Sequence, residues 1–443
     1  MTDPLDATQL TPAERALTDE IASRRDEIVA LACDLIRFDT QSREMPTSPA
    51  RQDAVLQAFL GDRLRGSGAA VDIWEPGPAE VENHPLTPAE GIGFAGRPQL
   101  AARFAGSGGG RSLLLNGHID VVTARVEDGW THDPFDPQIG DGRISGRGSC
   151  DMKGGIASMV VAAEVLARTG LLRGDVVVCT NTDEECGGWG ALACARHGVS
   201  ADFAIIPEPS GLEVWPACRG SAYCTVTVPG RAGHAEQEHA HYKNGGAVNA
   251  IEKTQHLLAG IDRLRLDWKS RPESHHPLLP APDIVCTRLV ADSGWIVTIP
   301  NRATLMLAVL VLPCQADHAG WTSDVQQEVE TYLRRWCDAD PWLAEHPPTF
   351  DWHTEVNPSE TPLETPSVRA LLGVNAALGL PLTLGGLGSW YDGATFALEA
   401  KTPSLMYGPS HIDWAHTVDE YVPIDDLVHC AQGIAVAGLR LCG

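Results

Sequence analysis

Apolar residues recur at helical spacing through the first forty positions, at Leu17, Ile21, Ile28, Leu31 and Leu35, with charged residues between them. The same spacing returns at Val55, Phe59, Leu60 and Leu64, so the stretches 11–38 and 51–65 are predicted helical. A segment rich in proline and glutamate, 75–91, reads as a surface loop. Short apolar runs then alternate with helical patterns. RSLLLNGHID is a predicted strand, GGIASMVVAAEVLART a helix, DVVVCTNTDE a strand, GALACARHG a helix and ADFAIIPEP a strand. That alternation predicts an α/β domain whose parallel strands are covered on both faces.

After Pro216 the period changes. SAYCTVTVPG alternates with period two, as a half-exposed strand does, and a helical stretch runs from Gly246 to Leu264. Two strands (DIVCTRLV and RATLMLAVLVLP), a helix (DVQQEVETYLRRW) and a strand (PTFDWHTEV) follow. The order β-α-β-β-α-β is that of a ferredoxin-like unit. From about Ser367 the first pattern resumes with VRALLGVNAALG, PSLMYG and a closing helix from about Asp425. The expected organisation is therefore a split α/β domain, 1–215 and 357–443, with a mixed, mostly parallel sheet. An α+β ferredoxin-like domain, 216–356, is inserted within it.

The 443 residues carry 58 acidic and 33 basic side chains, a formal net charge of −25. This balance argues against a nucleic-acid partner or an anionic membrane surface. No run approaches the roughly 18 apolar residues of a spanning helix, and the N-terminus has neither a basic nor an apolar export region. Twelve cysteines form no C-x-x-C pair, which predicts reduced thiols and a cytoplasmic protein rather than a zinc knuckle or disulfide framework.

The informative polar residues sit where the predicted strands run out, the end at which open α/β sheets bind ligands. LLLNGHID places His118 there, with Asp120 two residues on. GRGSCDMKGG carries Asp151 in a glycine-flanked turn before a helix, where an aspartate also serves as an N-cap. TNTDEECGG ends a strand with Asp183, Glu184 and Glu185, and adjacent carboxylates are costly to desolvate unless a cation compensates. Glu208 follows in IIPEP, and GPSHIDWAHTVDEY offers His411 and His416. Together, imidazoles and carboxylates at successive strand ends can hold two nearby zinc ions, which activate water and polarise a carbonyl. One of the paired glutamates would ligate, leaving its neighbour free to take the water's proton.

The blocks GHIDVV, GRGSCDMKGG, TDEECGG, PEP, GRAGHAE and GPSHIDWAHTVDEY, in this order, resemble the M20 family of metallopeptidases and deacylases. The resemblance runs from about residue 20 to the end. It implies a zinc-hydrolase domain split by a lid and dimerisation domain, and it agrees with the strand order read above. It also implies His118 and Glu208 on one metal, Glu185 and His416 on the other, and Asp151 bridging both. Glu184 would be the general base and Asp120 the residue orienting His118. The family pattern A-H-x-x-x-E selects His416 over His411. His234, in GRAGHAE, would reach from the lid into a partner subunit's site and donate a hydrogen bond to the scissile carbonyl oxygen. A homodimer through the lid is thus implied, with two Zn²⁺, or Co²⁺ or Mn²⁺ in their place.

Two departures bear on the substrate. Family lids read N-x-I-P followed by D-x-R, whose arginine clamps a substrate carboxylate; here Val297 opens VTIP, and Ala308 and Leu310 in LAVLVLP stand at the D-x-R positions, while Ala394 replaces the arginine of the later S-D-x-R-F block beside a retained Asp392 in WYDGATF. Arg219, Arg288 or Arg302 would have to substitute, or the substrate lacks an α-carboxylate. The expected activity is hydrolysis of the amide of a small N-acyl amino acid or N-acyl amine. The alternatives are a dipeptidase or carboxypeptidase, an N-formyl or N-acyl amine hydrolase, and a catalytically dead metal-binding protein. Retention of Glu184 argues against the last.

Overall fold

Thr11 starts the first helix, Pro12–Ser23. Its hydroxyl accepts the Glu14 N–H at 3.3 Å while the Glu14 carboxylate accepts the Thr11 N–H at 2.7 Å. The helical stretch over 11–38 is in fact two helices, because Arg24 leaves helical geometry (φ −96°, ψ 15°) before Arg25–Ile36 begins. Asp53–Gly66 is a third helix. The computed structural model describes residues 4–43, 45, 48–88 and 91–443.

A nine-stranded sheet organises the larger unit. Its order is Ala70–Trp74, Gln99–Phe104, Val176–Asn181, Leu113–His118, Phe203–Ile206, Ser404–Met406, Val214–Cys218 and Ser359–Glu360, with Leu384–Leu387 also paired to Val214–Cys218. Leu113–His118 runs parallel to both Val176–Asn181 and Phe203–Ile206, and Ser404–Met406 runs parallel to Phe203–Ile206. The flanking Ala70–Trp74, Gln99–Phe104 and Val176–Asn181 pairings are antiparallel, so the sheet is mixed with a parallel centre. Every residue of Leu113–His118 and of Phe203–Ile206 is buried, as central strands between helical layers require. His118 stands opposite Asn181 in the register, so two adjacent parallel strands end at one level.

Three features lay outside the sequence reading. The edge strand Ala70–Trp74 and its neighbour Gln99–Phe104 are one. A small sheet of Gln138–Gly140, Arg143–Ser145 and Tyr421–Pro423 is another. Third, the segment 75–91 is not simply a surface loop. Residues 89 and 90 lie outside the described residues, but Val81 and Leu86 are buried, and the Leu86 carbonyl accepts the Trp189 indole N–H at 2.7 Å.

The chain divides into two compact units. One comprises Met1–Ala217, Glu360–Gly386 and Tyr391–Gly443; the other comprises Cys218–Ser359 and Leu387–Trp390. In the second, the antiparallel order is Asp283–Val290, Arg302–Val311, Gly220–Pro229, Thr349–Val356. Helices Ala250–Ser270 and Ser323–Cys337 share its core through Leu257, Leu264, Trp268, Val329 and Leu333, packed with Val226, Leu305 and Leu307. Along the chain these elements run strand, helix, strand, strand, helix, strand. All twelve cysteines are free thiols. Among the described residues no helix is long and apolar enough to cross a membrane.

Candidate metal centre

Five side chains remote in sequence meet at the parallel strand ends. His118 closes its strand and points Nε2 at Asp151 Oδ1, 3.0 Å away, and at Glu208 Oε1, 3.4 Å away. His416 Nε2 lies 3.3 Å from the other Asp151 oxygen, Oδ2, and 3.0 Å from Glu185 Oε2. Asp151 thus turns one oxygen toward each histidine. One donor atom each from His118, Asp151 and Glu185 falls within 4.8 Å of the others, the geometry of a cation site. His411 stands apart: its Nδ1 faces Asp413 at 3.3 Å and its ring packs edge-on against Trp215.

The electrostatics fit a cation as well. Burial pushes the Glu208 carboxyl up to about 8, with Asp151 adding to the shift. Burial likewise raises Glu185, and it holds Glu184 well above the usual range, helped by Asp392, Glu185 and Glu208. Burial opposes charge on His118 too, but Glu208, Asp120 and Asp151 outweigh it and raise the imidazole well above its ordinary value. Hydrogen bonds to Asp151 and Glu185 raise His416 to about 10. So many carboxyls crowded out of water are relieved by divalent charge. Imidazole and carboxylate donors of this number suit zinc, cobalt or manganese.

Asp120 faces both His118 and the neighbouring strand end. His118 Nδ1 is 2.8 Å from the backbone carbonyl of Asp120 and 3.6 Å from its carboxylate. The carboxylate also accepts backbone N–H groups of Glu184 and Glu185, both at 3.2 Å. Glu184 itself has no hydrogen-bonded side-chain partner for its carboxyl among the described residues. His234 belongs to the second unit, exposed on the two-residue strand Gly233–His234, with its Nδ1 accepting the Glu236 N–H at 3.3 Å.

Among the arginines considered for a carboxylate clamp, Arg219 spends Nε on the Gly388 carbonyl at 2.6 Å and Nη1 on the Ala281 carbonyl at 2.9 Å. Asp392 is buried; its Oδ2 accepts the Asn181 amide at 2.6 Å and burial lifts its carboxyl to about 7. Sequence reasoning passed over Arg43, which clamps Asp183 with two hydrogen bonds, at 2.8 and 2.6 Å, just before Glu184. It also passed over Glu420 and Arg147, whose signal was the last letter of A-H-x-x-x-E and the arginine of GRGSCD.

Residues 114–437 match the sequence profile of Peptidase family M20/M25/M40. The chain belongs to this family. It is an enzyme, a metal-binding hydrolase of carbon–nitrogen amide bonds. Across family M20 the chain is similar to N-formyl-4-amino-5-aminomethyl-2-methylpyrimidine deformylase of Bacillus subtilis (strain 168), 26% identical over 436 residues, covering 93% of this chain and 94% of that protein. It is also similar to succinyl-diaminopimelate desuccinylase of Xanthomonas euvesicatoria pv. vesicatoria (strain 85-10), 29% identical over 416 residues, covering 90% and 95%. Its fold is shared with the Bacillus subtilis YXEP protein, a dinuclear metal binding peptidase from the M20 family. That match has a TM-score of 0.64 and 15% identity, covering 95% of this chain and 99% of that one.

Proposed function

We propose that the protein removes the acyl group from a small N-acyl amine, using two divalent metal ions, zinc in the first instance. His118 and Glu208 would hold one ion and Glu185 and His416 the other, with Asp151 shared. The observation that carries this reading is the division of Asp151, one oxygen within 3.0 Å of His118 and the other within 3.3 Å of His416. When bound, the ions supply Lewis acidity toward water and the scissile carbonyl. Glu184, whose carboxyl has no hydrogen-bonded side-chain partner among the described residues, takes the proton of the attacking water on its carboxylate and hands it to the leaving nitrogen. Asp120 holds the backbone that aims Glu184 and Glu185. His234 Nδ1 accepts the Glu236 N–H, which leaves Nε2 to donate to the carbonyl oxygen of a substrate in a partner subunit's site as charge develops there.

A substrate without an α-carboxylate is favoured by Ala394 and by the engagement of Arg219 with two carbonyls, since a clamp needs a free guanidinium fork. Similarity to a deformylase of an aminomethylpyrimidine supports the same reading. The test is a matched pair, an N-formyl or N-acetyl arylmethylamine against its α-carboxylated counterpart, with zinc-loaded protein. Comparable or faster turnover of the plain amide is expected; a 100-fold preference for the carboxylated partner overturns this substrate class. A homodimer through the second unit is supported by its edge strand Asp283–Val290, which exposes Val285, Leu289 and Val290, with exposed Trp295 and Ile296 following. Sedimentation of a monomer at micromolar concentration would remove it. Twelve free thiols support a reducing, cytoplasmic location.

A further inference from the structure

Resting on the two-metal reading, we infer that Glu420, backed by Arg147, is a positioning residue that holds Asp151 across both metal positions. Glu420 is wholly buried. Its Oε1 accepts two successive backbone N–H groups, those of Cys150 at 2.8 Å and Asp151 at 3.0 Å. Its Oε2 accepts a hydrogen bond from Arg147 Nη1, and Arg147 lies buried with its guanidinium 5.1 Å from the centre of the Trp130 ring. The backbone carbonyl of Glu420 accepts the Gly146 N–H at 3.0 Å and the Ser149 hydroxyl at 3.1 Å. The turn 146–151 is therefore fastened to one residue at several points.

That residue follows His416 by four positions, so a single side chain ties the turn carrying Asp151 to the segment carrying His416. A bridging carboxylate must keep its plane oriented so that each oxygen serves a different ion. Rotation about the Asp151 backbone would sacrifice one position. Among the described residues Glu420 makes no hydrogen bond to the strand ends that carry His118 and Glu208, whereas it bonds the Asp151 backbone directly and lies four positions from His416.

The decisive experiment titrates Co²⁺ alone into metal-free protein, following its visible absorption together with thermal melting of the same samples. The wild type is expected to take two equivalents. Glu420→Gln keeps an oxygen for the two N–H groups but turns an amide toward Arg147. It is expected to retain the first equivalent within threefold and to weaken the second at least tenfold. A folded Glu420→Gln that binds both equivalents as the wild type does overturns the inference. So does an equal weakening of both, which marks general loosening of the turn. If Glu420→Gln does not fold, Arg147→Met, which removes the cation that backs the carboxylate, carries the test on the same criteria. A wild type that binds fewer than two equivalents sinks the two-metal reading itself rather than the role of Glu420.

Discussion

Asp120 accepts the backbone N–H of Glu184 on one carboxylate oxygen and that of Glu185 on the other, each at 3.2 Å. One side chain at the end of strand Leu113–His118 therefore fixes the backbone beyond the neighbouring strand, where base and ligand stand side by side. Asp120→Ala is expected to lower kcat/KM by roughly 10–100-fold, the usual cost of losing a group that orients ligands. Steady-state kinetics on the best amide substrate check this; a change under threefold counts against the brace.

Glu184→Gln removes the proton acceptor while leaving the donors of the metal centre in place. The rate is expected to fall on the order of 10²–10⁴-fold, with metal content by elemental analysis equal to that of the wild type. A fully active variant removes Glu184 from the mechanism.

Helix Lys153–Arg168 approaches the strand end so closely that a Cβ on Gly155 would lie 2.0 Å from the Pro207 carbonyl oxygen, one residue before Glu208. Backbone cannot yield as a flexible side chain does, so Gly155→Ala is expected to destabilise by about 1–3 kcal/mol. It is also expected to weaken metal retention by displacing Glu208. Melting and metal analysis on one preparation test the coupling, and a stable, fully loaded variant refutes it.

Away from the site, hydrogen bonds from Arg24 and then Arg63 outweigh burial and hold the Glu27 carboxyl at about 2, below its ordinary 4.5. A depressed carboxyl stabilises the fold fully above pH 4.5, and that contribution disappears as pH falls through 2. Because Glu27 is partly exposed, water screens the pair, and about 1 kcal/mol or less is expected. The melting temperature of the wild type should exceed that of Glu27→Gln near pH 6, with the gap closing toward pH 2. A gap independent of pH contradicts the ion-pair origin.

Removing metal with a chelator is expected to abolish turnover, and adding back Zn²⁺ or Co²⁺ to restore it. Activity that survives exhaustive chelation, confirmed by elemental analysis, excludes a metal-dependent mechanism.

Much of this protein is written in its linear pattern. Largely apolar runs ending in GHID, NTDEE and PEP identify the buried central strands and the end at which polar chemistry collects, because burial on both faces favours apolar side chains until the strand emerges. Period-two alternation in SAYCTVTVPG likewise marks a sheet with one face against helices. Donor types are also local information, so His118, Asp151, Glu208 and the pair Glu184–Glu185 could be singled out from their neighbourhoods, the choice within the pair coming from the family resemblance. Other features depend on contacts that no local window contains. His416 differs from His411 in facing Asp151 and Glu185, groups more than two hundred residues away. Asp120 gives its carboxylate to the backbone beyond the next strand as well as to the side of His118, since strand register sets which N–H groups lie within reach. Glu420 closes the A-H-x-x-x-E pattern, but its role emerges only when folding sets two N–H groups and a buried guanidinium around it. Composition and periodicity decide what is buried; only the assembled fold decides which buried polar groups meet.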